Sequence, residues 1–218
     1  MTENRKKVVI IDYQLGNLYS VKQACDIVGM NVMVSSNKAD VIEADALILP
    51  GVGAFIEAMK NLEKLDLIDA IKNKVNSGSP LFGICLGLQL LFTKSEEFGS
   101  GKGLDLIPGV VKRFPYQLKD RKLRVPHIMW NQVYKSSDSW KDTPLKELDD
   151  CEFMYFIHSF YVKPLDDSNI LSNTNYDGLE FCSSVIKENI FATQFHPEKS
   201  AEKGISIYKY WALINGLI

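Results

Sequence analysis

At 218 residues the chain has the length of one α/β domain with a sizeable core, two small domains being the less favoured division. Hydrophobic content of 46%, charged content of 24% and a net charge of −2 fit an ordinary globular protein and argue against a broad phosphate-binding surface, hence against a nucleic-acid partner. No run is long enough to span a membrane. The apolar stretch Val8 to Ile11 stops at Asp12, too soon for the core of a signal peptide, so a cytoplasmic protein is expected.

In chain order, Val8-Val9-Ile10-Ile11 has the pattern of a short buried parallel strand. Asn17 is placed to open a helix in which Leu18, Val21, Cys25 and Val28 recur at helical spacing, with Gly29 as terminator. Residues 31–35 and 46–49 read as the second and third strands, and residues 54–62 and 67–75 as helices, Gly78 closing the latter. Strands alternating with helices predict a mostly parallel central sheet flanked by helices, a flavodoxin-like arrangement whose ligands sit beyond the strand C-termini. Pro50-Gly51-Val52-Gly53 would lie on that rim. On its own this segment is an ordinary strand-to-helix turn.

A fourth strand leads into Pro80-Leu81-Phe82-Gly83-Ile84-Cys85-Leu86-Gly87-Leu88-Gln89-Leu90-Leu91, the most informative stretch in the chain. An apolar run enters, glycines flank a single cysteine, and an apolar run leaves, which reads as a strand turning sharply into a helix. Small neighbours permit a strained central residue, and a helix N-terminus favours thiolate, so Cys85 has the setting of a nucleophile. The alternative is a buried structural cysteine at a helix–strand contact. After Gln89 the pattern changes. A glycine-rich segment over 99–109 precedes short strands at 110–114, 123–126, 131–134, 153–157, 161–163, 170–174, 181–186 and 190–194, a strand-rich half of mixed or antiparallel pairing. Residues 204–214, with Ile207, Tyr208, Trp211 and Ile214 near one stripe, close over the sheet as a helix.

A thiolate needs a base, and only three histidines are available: His127, His158 and His196. Of these His196 alone has a built-in orienter, because in His196-Pro197-Glu198 an extended backbone puts positions i and i+2 on one face. Glu198 can then hold one ring nitrogen and leave the other for Cys85. The four cysteines show no CxxC spacing, so neither a metal site nor a disulfide framework is indicated. The local basic cluster Lys119, Arg121, Lys122 and Arg124 reads as a solvated loop.

Gly83-Ile84-Cys85-Leu86-Gly87 with Gln89, followed by His196-Pro197-Glu198, resembles the class I glutamine amidotransferases with their Cys-His-Glu triad. Asp12-Tyr13, Gly16-Asn17-Leu18, Pro50-Gly51-Val52-Gly53, Ser95-Glu96-Glu97, Trp130-Asn131, Phe156-Ile157-His158-Ser159 and Gln194 to Ser200 narrow the resemblance to the glutaminase subunits of imidazole glycerol phosphate synthase. It runs from Ile11 to about Ser200 and implies one glutamine amidotransferase domain over residues 1–218. It implies glutamine hydrolysis by Cys85, His196 and Glu198, an oxyanion hole from Val52 or Gly53 with Leu86, and glutamine held by Gln89, Glu97 and the His158-Ser159-Phe160 backbone. No cofactor or metal is implied. The implied partner is a (βα)8-barrel cyclase subunit in a heterodimer, met through Met129, Trp130, Asn131 and Lys199.

Departures from that family pattern are Gln14 and Ala192 where glycine is usual, Phe160 for tyrosine, and Met129 for a glycine at the expected ammonia exit. Two other readings remain: a sister glutaminase whose partner amidates a different acceptor such as a surface sugar, and a non-catalytic regulatory module of the same fold.

Overall fold

The computed structural model describes residues 6–118, 121–136 and 140–218; Lys119 of the basic cluster lies outside them. The first half alternates strand and helix: β1 (Val8–Ile11), α1 (Leu18–Ile27), β2 (Val32–Ser35), α2 (Lys38–Glu43), β3 (Ala46–Gly51), α3 (Phe55–Lys64), α4 (Ile68–Asn76) and β4 (Leu81–Cys85). Asn17 opens α1, its side-chain oxygen accepting from the Ser20 N–H at 3.4 Å, and Asn37 caps α2 by accepting from the Ala39 N–H. The short α2 has no periodic run long enough to mark it in sequence. β1 pairs in parallel with β2 and β3, and β3 with β4. Because successive strand residues face opposite ways, Val8, Ile10, Ile48, Phe82 and Ile84 pack toward α1, whereas Val9, Ile11, Leu47, Leu49 and Leu81 pack toward α2, α3 and α4.

After α5 (Leu86–Leu90) come β5 (Phe92–Ser95), β6 (Gly101–Lys102), β7 (Ile107–Arg113), β8 (Gln117–Leu118), β9 (Arg121–Lys122), β10 (His127–Lys135), β11 (Glu152–His158), β12 (Phe160–Pro164), β13 (Ile170–Tyr176), β14 (Leu179–Lys187), β15 (Ile190–Thr193) and α6 (Ala201–Ile214). Among the described residues thirteen strands share one sheet, its main path running β2-β1-β3-β4-β15-β14-β12-β7-β5-β6. β15 is the bridge between the halves: it pairs in parallel with β4 and antiparallel with β14.

Two expectations shift. Residues 123–126 form no strand, and β10 is one nine-residue strand starting just after Pro126, which has no N–H to offer a ladder. The pairing of His127 with His158 through Val133 with Glu152 carries β10 across the gap left between the strands expected at 123–126 and 131–134. In α6 the buried residues are Gly204, Ile207, Tyr208, Trp211 and Ala212, while Ile214 in the last turn is half exposed.

Candidate active site

The C-terminal ends of β3, β4 and β15 lie side by side, with Gly51 in register with Cys85 and Ile84 with Thr193. Cys85 joins β4 to α5 at φ 54° and ψ −106°, a region that costs a non-glycine residue about 1–3 kcal/mol. The surroundings enforce it. A Cβ on Gly87 would fall 1.7 Å from the Leu49 carbonyl oxygen, and one on Gly83 would fall 3.0 Å from Ala192 Cβ. Cys85 is thus a strained and nearly buried residue at the rim, as its flanking glycines imply.

His196 leaves β15 three residues past its end and donates from Nδ1 to Glu198 Oε1 at 2.7 Å, both side chains being buried. The contact is not made by strand alternation. His196 itself is extended, but Pro197–Lys199 is a single 3-10 turn that folds the carboxylate back under the ring. Glu198 Oε2 accepts from the Tyr208 hydroxyl of α6 at 3.5 Å. Ser200 Oγ donates to the His196 carbonyl at 2.7 Å and accepts from the Tyr155 N–H at 3.0 Å, tying the segment to β11. His196 Nε2 is buried with no partner at full hydrogen-bond geometry. Burial, the largest effect on this ring, lowers its pKa; the charge and hydrogen-bonding capacity of Cys85, then Glu198, overcome it and raise the pKa to about 10. The imidazole is therefore poised as an imidazolium beside sulfur.

A cavity of about 170 Å³ opens at the sulfur, lined by Val52, Gly53, Cys85, Leu86, Gln89 and the segment Ile157-His158-Ser159. Through Gly53 and that same segment it adjoins a cavity of about 410 Å³ that reaches Glu97, Arg113 and Phe160. The expected oxyanion and glutamine-holding residues are thus brought together. Gly53 has φ 101°, which glycine alone adopts without strain, and a Cβ on Gly51 would fall 1.8 Å from the Tyr13 hydroxyl oxygen. Glu97 spends one oxygen on the Phe55 N–H at the start of α3, at 2.6 Å. The Phe160 carbonyl is already occupied, accepting from Gln89 Nε2 at 3.0 Å and His158 Nδ1 at 2.8 Å. Of the 158–160 backbone it is therefore the part least free to hold a ligand.

Among the expected interface residues, Met129 and Trp130 are nearly half exposed and Lys199 is exposed over the Tyr155 ring. Asn131 points inward instead, to His127 Nε2 and the Asn175 carbonyl. Gln14 sits at φ 69°, where a glycine would be unstrained, its N–H held by Asp12 Oδ1 at 2.8 Å. Sequence reasoning missed Gln194, whose Nε2 lies 3.7 Å from Cys85 Sγ, and the anchoring roles of Ser200 and Tyr208. Gln194 and Ser200 stand in the stretch that carries the resemblance, but amides and hydroxyls have no periodic signal that would assign them a role, and Tyr208 reads only as part of an apolar helix stripe.

The family model "Glutamine amidotransferase class-I" matches residues 9–210. The chain is 45% identical over 208 residues to the imidazole glycerol phosphate synthase subunit HisH of Geobacter metallireducens, covering 94% of this chain and 97% of that one. It is 48% identical over 202 residues to the HisH subunit of Aquifex aeolicus, covering 92% and 93%. Among solved structures, one described as a glutamine amidotransferase superposes with a TM-score of 0.73 at 19% identity, covering 95% of this chain and 98% of that one. A chain of PurLQS from Thermotoga maritima gives 0.70 at 17% identity, covering 96% and 98%. The fold is common to the two solved structures, and the near-complete alignment with the two HisH subunits places this chain more narrowly: it belongs to the class-I glutamine amidotransferase family, among the HisH subunits of imidazole glycerol phosphate synthase.

Proposed function

We propose that residues 1–218 act as one catalytic unit that hydrolyses glutamine and passes the ammonia to a cyclase subunit forming imidazole glycerol phosphate in histidine biosynthesis. The observation that carries the reading is the strained Cys85 at the β4 rim beside a His196 held by Glu198. The Cys85 sulfur attacks the side-chain amide carbon of glutamine, and N–H groups of Val52 or Gly53 and Leu86 receive the oxyanion. The His196 imidazolium protonates the departing nitrogen, which leaves as ammonia; the resulting neutral imidazole then takes a proton from water as it attacks the glutamyl thioester, releasing glutamate and restoring the thiolate beside an imidazolium. Each step is a proton or acyl transfer. The reading needs no metal or organic cofactor, and the thiol suits a reducing cytoplasm.

The cyclase is proposed to dock on the β10–β11 hairpin, where Ile128, Trp130, Phe153 and Ile157 share one exposed apolar face beside the cleft. Ile157 also lines both cavities at the cleft, so a partner on this face would press on the site itself. The test is covalent: an electrophilic glutamine analogue is expected on Cys85 in a peptide map, and Cys85→Ala is expected to abolish glutamate release. Labelling chiefly at Cys25, Cys151 or Cys182 overturns the assignment. The buried thiols of Cys25 and Cys182 are pushed above their ordinary range chiefly by desolvation, which makes them poor nucleophiles.

A further inference from the structure

We propose that Gln194 is a further catalytic residue, its side-chain N–H holding the Cys85 sulfur as thiolate, with the amide oriented by Gln89, which the Phe160 carbonyl fixes in turn. The inference rests on Cys85 being the nucleophile. Gln194 is fully buried, its backbone N–H donates to the Ser183 carbonyl at 2.8 Å, and its Nε2 lies 3.7 Å from Sγ. The sulfur's other close polar neighbour in that geometry is the Ile157 carbonyl at 3.8 Å, which accepts from a thiol and repels a thiolate.

An amide can present oxygen or nitrogen to the sulfur, and its neighbours decide which. Gln89 Nε2 faces the Phe160 carbonyl at 3.0 Å, an acceptor only, so the nitrogen must lie there. Its second hydrogen points at Gln194 Oε1 at 3.2 Å, which leaves the Gln194 nitrogen for Cys85. A second branch, from β10, converges on the same carbonyl. His158 Nδ1 also faces the Phe160 carbonyl and must carry hydrogen. Desolvation by burial keeps both His158 and His127 neutral at ordinary pH, so each ring has one proton. His158 Nε2 is then an acceptor, the His127 Nδ1 at 3.0 Å must donate to it, and His127 Nε2 accepts from Asn131 Nδ2 at 3.3 Å. Every member has one consistent polarity, and rotating the Gln194 amide would set two oxygens or two N–H groups against each other. The titratable groups around Cys85 are His196 and Glu198 beyond β15, His158 on β11 and Tyr13 beyond β1.

The test uses Gln194→Met, which keeps length and volume without a donor, and Gln194→Glu, which sets a carboxylate against the sulfur. Iodoacetamide alkylation of Cys85 is followed from mildly acidic to alkaline pH, together with glutamate release. Alkylation at neutral pH is expected to slow about tenfold in Gln194→Met, the scale of one hydrogen bond to a charged group, and further in Gln194→Glu. The deficit should shrink toward alkaline pH, where alkylation no longer depends on the amide. Should Gln194→Met not fold by circular dichroism, the isosteric Gln194→Glu carries the test. Alkylation at the wild-type rate across the whole pH range, with glutamate release still impaired, would overturn the proposal and leave Gln194 acting only through Gln89 and substrate. Failure of the underlying reading looks different: the wild-type protein itself would not be labelled at Cys85 by a glutamine analogue.

Discussion

His196 gains its proton against the grain of its surroundings, since burial alone would keep the ring neutral and only the sulfur and Glu198 reverse that. A ring whose folded pKa is about 10 keeps its proton through neutral pH and loses it on the alkaline side. In Glu198→Gln the carboxylate charge is gone and the ring pKa falls, so the alkaline limb of kcat/KM should move to lower pH. Lost orientation should at the same time cut turnover by about 10²- to 10⁴-fold with glutamine KM little changed. A pH–rate profile of the variant superimposed on that of the wild type would place the orienter elsewhere. At this scale the placement of Cys85, His196 and Glu198 was legible because local marks surround them: flanking glycines at Cys85, and a carboxylate two positions from His196. Gln194 was not, because its meaning depends on Gln89, 105 residues away along the chain.

The elbow shows how an element is fixed by what it touches. Gly87 lies in α5 against the Leu49 carbonyl of β3, a rigid backbone atom, so Gly87→Ala should cost on the order of 3 kcal/mol. A Cβ on Gly16 would meet the far end of the Leu18 side chain at 3.3 Å, which can shift, so Gly16→Ala should be far milder. Urea unfolding of the two variants measures the contrast. The β10–β11 pair carries a different dependence. Their facing His127 and His158 are held by desolvation at pKa values of about 4 and about 3, both below the 6.5 of an unfolded chain. The unfolded chain therefore binds more protons in the window between, and stability must fall as pH drops from about 6.5 toward 4. Replacing His127 with Gln removes one such site, and the slope of Tm against pH in that window should flatten. The parallel strands β1 to β4 were legible as short apolar runs, each ending near its expected position. β10 was not, because half its face is solvent and half is a polar pair under aromatic rings, so it shows neither clean alternation nor a continuous apolar run.

Across the molecule, the exposed apolar face of β10–β11 and the turn at Gly53 border the same cleft, so the proposed docking face and the proposed oxyanion donors are mechanically close. The isolated chain should release glutamate slowly and accelerate about 10²- to 10³-fold when a histidine-pathway cyclase and its ligand are added, the scale of one oxyanion donor. A fast rate for the chain alone would refute this. No stimulation by that cyclase, with Cys85 still labelled by a glutamine analogue, would favour an amidating partner from another pathway. The placement of β15 has a consequence in time. The strand that delivers His196 slots between β4 and β14, so Cys85 and its proposed base meet only after more than a hundred further residues have been made and folded. Pairing over such a separation is slow, because the intervening chain must be ordered before the contact rewards it. On the proposed mechanism a nascent or partly refolded chain carries the sulfur without its acid and base and releases no ammonia. In refolding from urea, labelling of Cys85 by a glutamine analogue should lag behind the return of helical circular dichroism, and the lag is the time the last strand takes to find the centre of the sheet.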